Sequence, residues 1–281
     1  MKLLRVGEFG REIPVVVASD GRPLDCSSLY RDFDTAFFRD HGLEELARRT
    51  TELPEIDISG LRIGAPVSSP QKIVCVGLNY VTHAQESGQP IPSEPVLFMK
   101  SPGTLVGPHD TVLIPRGSTK TDWEVELAVV MGKRASYLGS PSEGLSYVAG
   151  YAISNDVSER EFQLERGGQW DKGKSCDTFN PLGPWLVSAD EVPDPQSLEM
   201  KLSVNGVLRQ HDSTKSMIFG VEYVIWYISQ FMVLEPGDVI NTGTPAGVSL
   251  GHDDVPYLRP GDVMELELLG LGSQRQVVEQ G

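Results

Sequence analysis

The sequence is poor in cysteine and in positive charge. It has three cysteines in 281 residues, Cys26, Cys75 and Cys176, and none forms a CxxC pair. Their scarcity and scattered positions argue against a disulfide framework or a thiolate metal site and indicate a reducing compartment, so we expect a cytoplasmic protein. The 24 basic residues are outnumbered by 39 acidic ones, and the formal net charge is −15. Because such a surface repels phosphate backbones and anionic lipids, we expect neither a nucleic-acid nor a membrane partner.

The chain also lacks a long uninterrupted apolar segment. Its longest apolar run, SMIFGVEYVIWYISQFMVL, contains Glu222 and predicts a buried helix rather than a bilayer span. The stretch MKLLRVGEFGRE is too charged for a signal peptide. With 40% hydrophobic residues, the chain is long enough to bury a large core, either in one domain or in a small domain beside a larger one.

Turn and strand patterns predict a mainly β (α+β) protein in two parts. Residues 1–65 predict short strands, with a hairpin at Asp20-Gly21, and then a helix in DTAFFRDHGLEELARR. The segment IGAPVSSPQ has the composition of a linker. From KIVCVG onward strands dominate, and Asn205-Gly206 predicts a type I′ hairpin turn. We therefore expect a small N-terminal domain over residues 1–65 and a larger, mainly β domain over residues 66–281.

The stretch TDWEVELAVVM places Glu124 and Glu126 on one face of a predicted strand, and that face continues with apolar residues. Two adjacent buried carboxylates cannot both stay ionised without a cation, and a divalent metal is the simplest one. A polar strand face in contact with water is the commoner meaning of an isolated ExE pair.

A third carboxylate, Asp156, follows the predicted strand YVAGYAISN and is a candidate third ligand. It could instead only stabilise the turn before a helix, which the capping-box pattern at residues 158–161 predicts. A set of ligands made of carboxylates alone favours Mg²⁺ or Mn²⁺ over Zn²⁺.

The segment GLNYVTHAQESG contains a candidate general base. It predicts a strand end, a short helix and a stop at Gly88, so that His83 and Glu86 lie three apart on one helical face. A carboxylate beside an imidazole orients it and raises its basicity, as a base that deprotonates water requires. An exposed polar helix face is the alternative. The loop SGQPIPSEP that follows could let this helix move as a lid.

Two loops could bind an anion. The segment SEREFQLERGGQWDKGKS concentrates Arg160, Arg166, Lys172 and Lys174 near glycines, although basic loops are usually only solvated. The loop NTGTPAGVSLG carries Thr244 and could bind a carboxylate through backbone N–H groups, or it is a plain turn.

In their order along the chain, these motifs resemble the fumarylacetoacetate hydrolase (FAH) family from about residue 70 to 272. The motifs are GLNYVTHAQE, FMK, WEVELAVVMG, GYAISNDVSEREFQ, KSCDTFNPLGPW and NTGTPAGV. The resemblance, which is to the short bacterial members, implies an FAH-type mixed β-roll catalytic domain with a small N-terminal β/α domain, assembled as a homodimer. It also implies Mg²⁺ or Mn²⁺ bound by Glu124, Glu126 and Asp156.

The chemistry that the resemblance implies is cleavage of a C–C bond in a β-diketo acid, with release of pyruvate and a carboxylic acid. His83, paired with Glu86, would activate water, and Lys100 would stabilise the developing oxyanion. The residues implied to contact this small anionic substrate are Tyr80, Arg160, Gln163, Lys174 and Thr244.

Three features bear on the substrate. Many relatives have a basic residue where Leu78 stands, so one possible anion anchor is in doubt, and Lys100 is followed by Ser101 rather than proline. The form QLERGGQWDKGKS is similar to the subset that acts on 2,4-diketo-3-deoxy sugar acids from L-fucose or L-rhamnose. Acylpyruvates are the other candidate substrates.

Other functions fit the same motifs. The family also contains oxaloacetate or 2-oxo acid decarboxylases and hydroxyheptadienedioate isomerases. The His83–Glu86 pair favours hydrolysis over isomerisation, but decarboxylating relatives can carry the same pair. A non-catalytic metal-dependent binding protein is the alternative from another class, and the intact pair together with Lys100 argues against it.

Overall fold

A computed structural model describes residues 1–252 and 254–281. The strands in this part of the chain are β1 (Lys2–Val6), β2 (Ile13–Val17), β3 (Pro23–Asp25), β4 (Ile63–Gly64), β5 (Ile73–Gly77), β6 (Val96–Lys100), β7 (Leu105–Val106), β8 (Val112–Ile114), β9 (Thr121–Asp122), β10 (Val125–Met131), β11 (Val148–Asn155), β12 (Ser158–Glu159), β13 (Asn180–Ser188), β14 (Glu199–Val204), β15 (Val207–Ser213), β16 (Val239–Asn241), β17 (Val263–Leu268) and β18 (Gly272–Gln280). The α-helices are α1 (Thr35–Arg39), α2 (Gly42–Arg49), α3 (Val81–Glu86), α4 (Asp171–Lys174) and α5 (Val221–Ser229).

The strands form one large mixed sheet and a second sheet packed near it. The large sheet runs β3-β2-β1-β13-β11-β10-β16-β5-β6, with β4 added beside β1 and β7 beside β13. The second sheet runs β15-β14-β17-β18-β8, and β12 pairs with β9 separately. Most neighbours are antiparallel, whereas β16 and β5 are parallel. The predicted mainly β fold is therefore confirmed.

Strand β10 lies in the middle of the large sheet, and all of its side chains are buried. Its odd-numbered residues, such as Leu127 and Val129, face the core that includes the second sheet. Ala128 and Val130 face a separate core beneath the N-terminal segment. Because the faces alternate, Glu126 shares the face of Ala128 and Val130, as the sequence predicts.

The N-terminal segment joins the large sheet directly. Strand β1 pairs with β13, with Lys2 opposite Val187 and Leu3 opposite Leu186. The predicted linker also contributes β4, which pairs with β1. The division at residue 65 stays a prediction, although the sheet is continuous across it.

The predicted helix over DTAFFRDHGLEELARR is two helices, α1 and α2. His41 separates them with a left-handed φ of 60°. A Cβ at Gly42 would lie 2.3 Å from the Phe37 ring, so the start of the second helix packs closely against the first. The prediction of a single helix was wrong because apolar spacing does not detect this local turn.

The predicted capping box at residues 158–161 was also wrong. Ser158 and Glu159 form strand β12, which pairs with β9. The Ser158 hydroxyl donates to the Asp156 carbonyl oxygen at 2.9 Å instead of capping a helix. A short π-helix, Glu161–Glu165, follows. Pairing with a distant strand therefore outweighs the local capping preference.

The predicted turn at Asn205-Gly206 is confirmed. Both residues have positive φ, 52° and 74°, as a type I′ turn between β14 and β15 requires. The apolar run near residue 222 contains α5, whose Val224, Ile225 and Ile228 are buried. No helix in the described ranges is long and apolar enough to cross a bilayer.

Candidate active site

The three predicted metal ligands meet where β10 and β11 lie side by side. Val125 pairs with Asn155, which brings the next residue along, Asp156, opposite Glu124. The backbone N–H of Asp156 donates to the Glu124 carbonyl oxygen at 2.9 Å. One carboxylate oxygen each from Glu124, Glu126 and Asp156 lie within 4.8 Å of one another, and all three side chains are buried. The ladder between two strands thus builds the acidic cluster.

Two lysines contact this acidic cluster. Lys100, at the end of β6, forms an ion pair with Asp156 Oδ1, and its Nζ also donates to the Val157 carbonyl oxygen at 3.0 Å. Lys174, at the end of α4, places Nζ 2.7 Å from Glu124 Oε2 and 3.1 Å from Asp156 Oδ2. Buried charges of this kind are tolerated only when they are paired.

Arg160 is the third buried cation. Its Nε lies 2.8 Å from Asp122 Oδ2, one terminal nitrogen lies 2.8 Å from Glu124 Oε1, and the same nitrogen donates to Gln163 Oε1 at 3.1 Å. The other terminal nitrogen, Nη2, has no hydrogen-bond partner among the residues described. A buried, unpaired guanidinium N–H is a donor available to an anionic ligand.

The two glutamates of the ExE pair have different surroundings, which shift their pKa values in opposite directions. Burial raises the pKa of Glu124, but Lys174 and Arg160 outweigh it and lower that pKa to about 2. Burial raises the pKa of Glu126 well above its usual value, and the charges of Asp156 and Glu124 raise it further. Its one hydrogen bond in the described structure is accepted from the Gly243 N–H at 2.8 Å.

The donor set fits a hard divalent cation. Four buried carboxylates, Asp122, Glu124, Glu126 and Asp156, face three buried cations, so one negative charge is left over when all are ionised. Asp156 Oδ2 is also buried and accepts no aligned hydrogen bond from the part of the chain described, although Lys174 Nζ lies 3.1 Å away. Oxygen ligands and spare negative charge suit Mg²⁺ or Mn²⁺ rather than Zn²⁺.

The His83–Glu86 contact predicted from helical spacing is present. His83 Nδ1 lies 2.8 Å from Glu86 Oε1; both residues are in α3, where His83 is buried and Glu86 is partly buried. The other carboxylate oxygen, Oε2, accepts the Gly247 N–H at 2.8 Å and lies 3.0 Å from His252 Nε2. Burial raises the pKa of Glu86, but these three contacts outweigh it and lower the pKa. Glu86 is therefore held ionised and aimed at His83.

These groups meet at a cavity of about 200 Å³. The predicted site residues that line it are His83, Glu124, Glu126, Arg160, Gln163, Lys174 and Thr244. The other lining residues are Val76, Gly77, Leu78, Ser87, Gln89, Phe98, Leu164, Trp170 and Leu250. A cavity of this size holds one small molecule.

Four predicted residues do not line the cavity. Glu86 contacts the lining residue His83, Asp156 contacts the lining residue Lys174, and Lys100 contacts Asp156. Tyr80 is placed elsewhere, because it is fully buried in the hydrophobic core and its hydroxyl lies 3.8 Å from Met200 Sδ.

Sequence reasoning did not single out His252 or Asp122. Asp122 continues the alternation of Glu124 and Glu126, so its face could have been read from the strand pattern. His252 lies 166 residues from Glu86. No local sequence pattern could have predicted that His252 contacts Glu86.

A buried carboxylate cluster beside a His–Glu pair, carried on a mixed β fold, is an arrangement suited to metal-assisted catalysis. The chain belongs to the fumarylacetoacetate hydrolase family, since residues 72–279 match the family described as fumarylacetoacetate (FAA) hydrolase C-terminal. Members of this family include hydrolases and isomerases.

Three similar proteins illustrate this range. A Burkholderia multivorans protein described only as a hydrolase is 50% identical to this chain, over 99% of this chain and 98% of the Burkholderia protein. The maleylpyruvate hydrolase of Sphingobium sp. SYK-6, solved with manganese(II) and pyruvate, is 30% identical with a TM-score of 0.81 over 100% of both chains. The 2-hydroxyhepta-2,4-diene-1,7-dioate isomerase of Mycobacterium marinum is 30% identical with a TM-score of 0.75, over 100% of this chain and 98% of the other. The manganese-bound relative and the acidic cluster together indicate a divalent metal.

Proposed function

We propose that this protein is a metal-dependent hydrolase that cleaves a C–C bond in a β-diketo acid and releases pyruvate and a carboxylic acid. One observation carries the proposal, namely that the His83–Glu86 pair and the acidic cluster of Glu124, Glu126 and Asp156 adjoin the same small cavity. The first arrangement suits the activation of water, and the second suits a metal that binds a 2-oxo acid group.

Glu124, Glu126 and Asp156 would hold Mg²⁺ or Mn²⁺. When bound, the metal supplies Lewis-acid stabilisation of the enolate that leaves as pyruvate. Arg160 offers its unpaired Nη2 to the substrate carboxylate, and Gln163 fixes the orientation of the same guanidinium. The anionic end of the substrate is therefore bound near the acidic cluster despite the negative charge of the chain.

The protein's own groups carry the proton transfers. Glu86 holds His83 Nδ1, so Nε2 is free to take a proton from water as the oxygen attacks the carbonyl remote from the carboxylate. The C–C bond then breaks, its electron pair enters the enolate, and His83 returns the proton to the enolate carbon. Water thus adds across the bond to give a carboxylic acid and pyruvate.

A cation beside the attacked carbonyl would stabilise the oxyanion. Lys100, which the family resemblance implies for this role, is engaged with Asp156 and the Val157 carbonyl and lies behind the cavity wall. Lys174 lines the cavity. We propose that Lys174 contacts the reacting group and that Lys100 fixes Asp156.

Isomerisation of a hydroxyheptadienedioate is the second candidate, and the Mycobacterium marinum neighbour supports it. It needs proton shuttling without an attacking water, so the ordered His83–Glu86 pair favours hydrolysis. Decarboxylation of oxaloacetate or another 2-oxo acid also needs no attacking water. A homodimer in the cytoplasm completes the proposal, supported by the family resemblance and the sparse cysteines.

A substrate panel tests the proposal. The protein is freed of metal with a chelator, reloaded with Mg²⁺ or Mn²⁺, and supplied with acylpyruvates, 2,4-diketo-3-deoxy sugar acids and oxaloacetate. We expect pyruvate without CO₂ from a diketo acid, and only when metal is present. Pyruvate together with CO₂ from oxaloacetate alone would indicate decarboxylation instead.

His83→Ala tests the activation of water. We expect it to lower kcat by about 100-fold or more, as loss of a general base does, while Mn²⁺ affinity measured by calorimetry is retained. The control is His211→Ala, because His211 makes a similar contact with Glu199, 2.8 Å long, but on the exposed face of β15. Undiminished kcat in His83→Ala would contradict the assigned role.

A further inference from the structure

We propose that the cavity selects diketo acids that carry a single carboxylate and an uncharged, mainly apolar acyl group. This inference rests on the proposed function and concerns the substrate class of the same site. It is carried by the charges and contacts of the residues that line the cavity, and by the backbone of Leu78.

The cationic groups of the cavity wall are few and already engaged. The described lining residues include one arginine, Arg160, and one lysine, Lys174, and both contact Glu124. Lys174 also contacts Asp156 and lies 4.9 Å from the centre of the Phe98 ring. The unpaired Arg160 Nη2 can satisfy one substrate carboxylate, and no equivalent donor on a cation remains for a second among the residues described.

Most of the remaining wall is apolar. Phe98 and Trp170 meet edge to face with ring centres 5.5 Å apart. Trp170 lies so close to the backbone that a Cβ at Gly77 would be 2.6 Å from its ring. Val76, Leu78, Leu164 and Leu250 complete this apolar part of the lining, and Ser87 and Gln89 are the uncharged polar side chains beside it. A carboxylate placed against such a surface loses its hydration without gaining a partner.

Leu78 holds a fixed place in this wall. Its φ of 56° is a left-handed conformation that a leucine rarely adopts. The next residue, Asn79, anchors the turn, because its side chain donates to the Thr242 carbonyl at 2.8 Å and accepts the Phe219 N–H at 2.8 Å. Strained backbone of this kind is typical of functional sites. The Leu78 side chain therefore presents a fixed apolar surface to the cavity.

A matched pair of substrates tests the selection. Butanoylpyruvate and succinylpyruvate have acyl chains of the same length, and they differ in a terminal methyl against a terminal carboxylate. For the wild-type protein loaded with Mn²⁺, we expect kcat/KM to be at least ~100-fold higher for butanoylpyruvate, because a second buried carboxylate would be unpaired. Equal kcat/KM values for the two compounds would overturn the proposal.

A pair of variants tests the position. Leu78→Lys should raise kcat/KM for succinylpyruvate by about tenfold or more and lower it for butanoylpyruvate, since an ammonium then faces the added carboxylate. Leu78→Met keeps the size and the absence of charge, so the wild-type ratio should persist. If Leu78→Lys does not fold, the wild-type ratio and Leu78→Met still decide the question.

A binding measurement separates this proposal from the proposed hydrolysis. The Mn²⁺-loaded His83→Ala protein, which should not turn over, is titrated with each compound by calorimetry. Butanoylpyruvate bound at least ~100-fold more tightly supports the selection, even if the wild type cleaves neither compound and the hydrolase function fails. Equal binding, or binding of neither compound, overturns the selection even if some other diketo acid is hydrolysed.

Discussion

Glu124, which directly precedes β10, and Glu126 within that strand reach the same acidic cluster but have different surroundings. Glu124 contacts Lys174 and Arg160, whereas Glu126 accepts one backbone N–H, from Gly243. Alternation along a strand is enough to predict that both carboxylates face inward. It cannot predict their partners, because Lys174 lies 50 residues further along the chain.

This difference predicts unequal effects of two equivalent substitutions. Glu124→Gln leaves two buried cations short of a partner and should destabilise the metal-free protein by about 3–5 kcal/mol. Glu126→Gln breaks no ion pair, and its amide oxygen can still accept from Gly243, so the change should be within about 1 kcal/mol. Urea unfolding in EDTA measures both. Equal destabilisation would show that the ion pairs do not set the difference, and calorimetry should show weakened Mn²⁺ binding in both variants.

His252 predicts a pH effect. It contributes to lowering the pKa of Glu86 in the folded protein, so Glu86 stays ionised as the pH falls further than it otherwise would. His252→Ala removes that contact and should raise the pKa of Glu86, with little change in kcat/KM at neutral pH; a ¹³C NMR titration of the Glu86 carboxyl measures this pKa. His252→Gln can place an amide N–H near the same oxygen and should keep the pKa of Glu86 close to that in the wild type. An unchanged Glu86 pKa in His252→Ala would exclude this coupling.

At the scale of elements, the loop after β16 connects the two halves of the site. Its Gly243 N–H reaches Glu126, and its Gly247 N–H reaches Glu86. Gly247 has a φ of 109°, and a Cβ there would lie 2.0 Å from the Arg209 carbonyl oxygen. The loop therefore depends on close packing that only glycine permits.

Gly247→Ala should displace this loop and lower kcat by about tenfold or more, because misplacing a catalytic group by a fraction of an ångström is costly. The matched control is Gly270→Ala, since Gly270 also has a positive φ, 85°, but a Cβ there meets no atom within 4 Å. Both variants incur the backbone strain of alanine at positive φ. A similar kcat for the two would mean that the packing at Gly247 does not matter.

The elements that sequence patterns predict correctly are those with strong local signals. Strand β10, helix α3 and the Asn205-Gly206 turn are of this kind. The capping box predicted at residues 158–161 fails because Ser158 and Glu159 pair with β9, so the helical segment begins only at Glu161. The site assembles through such distant contacts, so the sequence alone predicts its members better than their arrangement.

At the scale of the whole molecule, the sequence predicts two domains, but one continuous sheet includes strands from both. Composition predicts a boundary near residue 65, and the family match begins at residue 72. Strand β1 nevertheless pairs with β13, and Leu3, Phe33 and Phe37 lie in one core with Ala128 and Val130. Arg5 contacts Asp32 and Glu12 and donates to the Ala65 carbonyl oxygen, which ties the N-terminal strands to the linker.

Removal of residues 1–65 tests whether residues 66–281 fold independently or need the N-terminal strands. The truncated chain would expose the edge of β13 and the apolar face of Ala128 and Val130, and both are sources of aggregation. We therefore expect residues 66–281 alone to aggregate, or to lose near-ultraviolet circular dichroism and cooperative urea unfolding, while the full chain keeps them. Supplying residues 1–65 as a separate polypeptide during refolding should recover soluble protein if the shared sheet is the cause. A soluble, cooperatively unfolding chain of residues 66–281 would instead establish two independent domains.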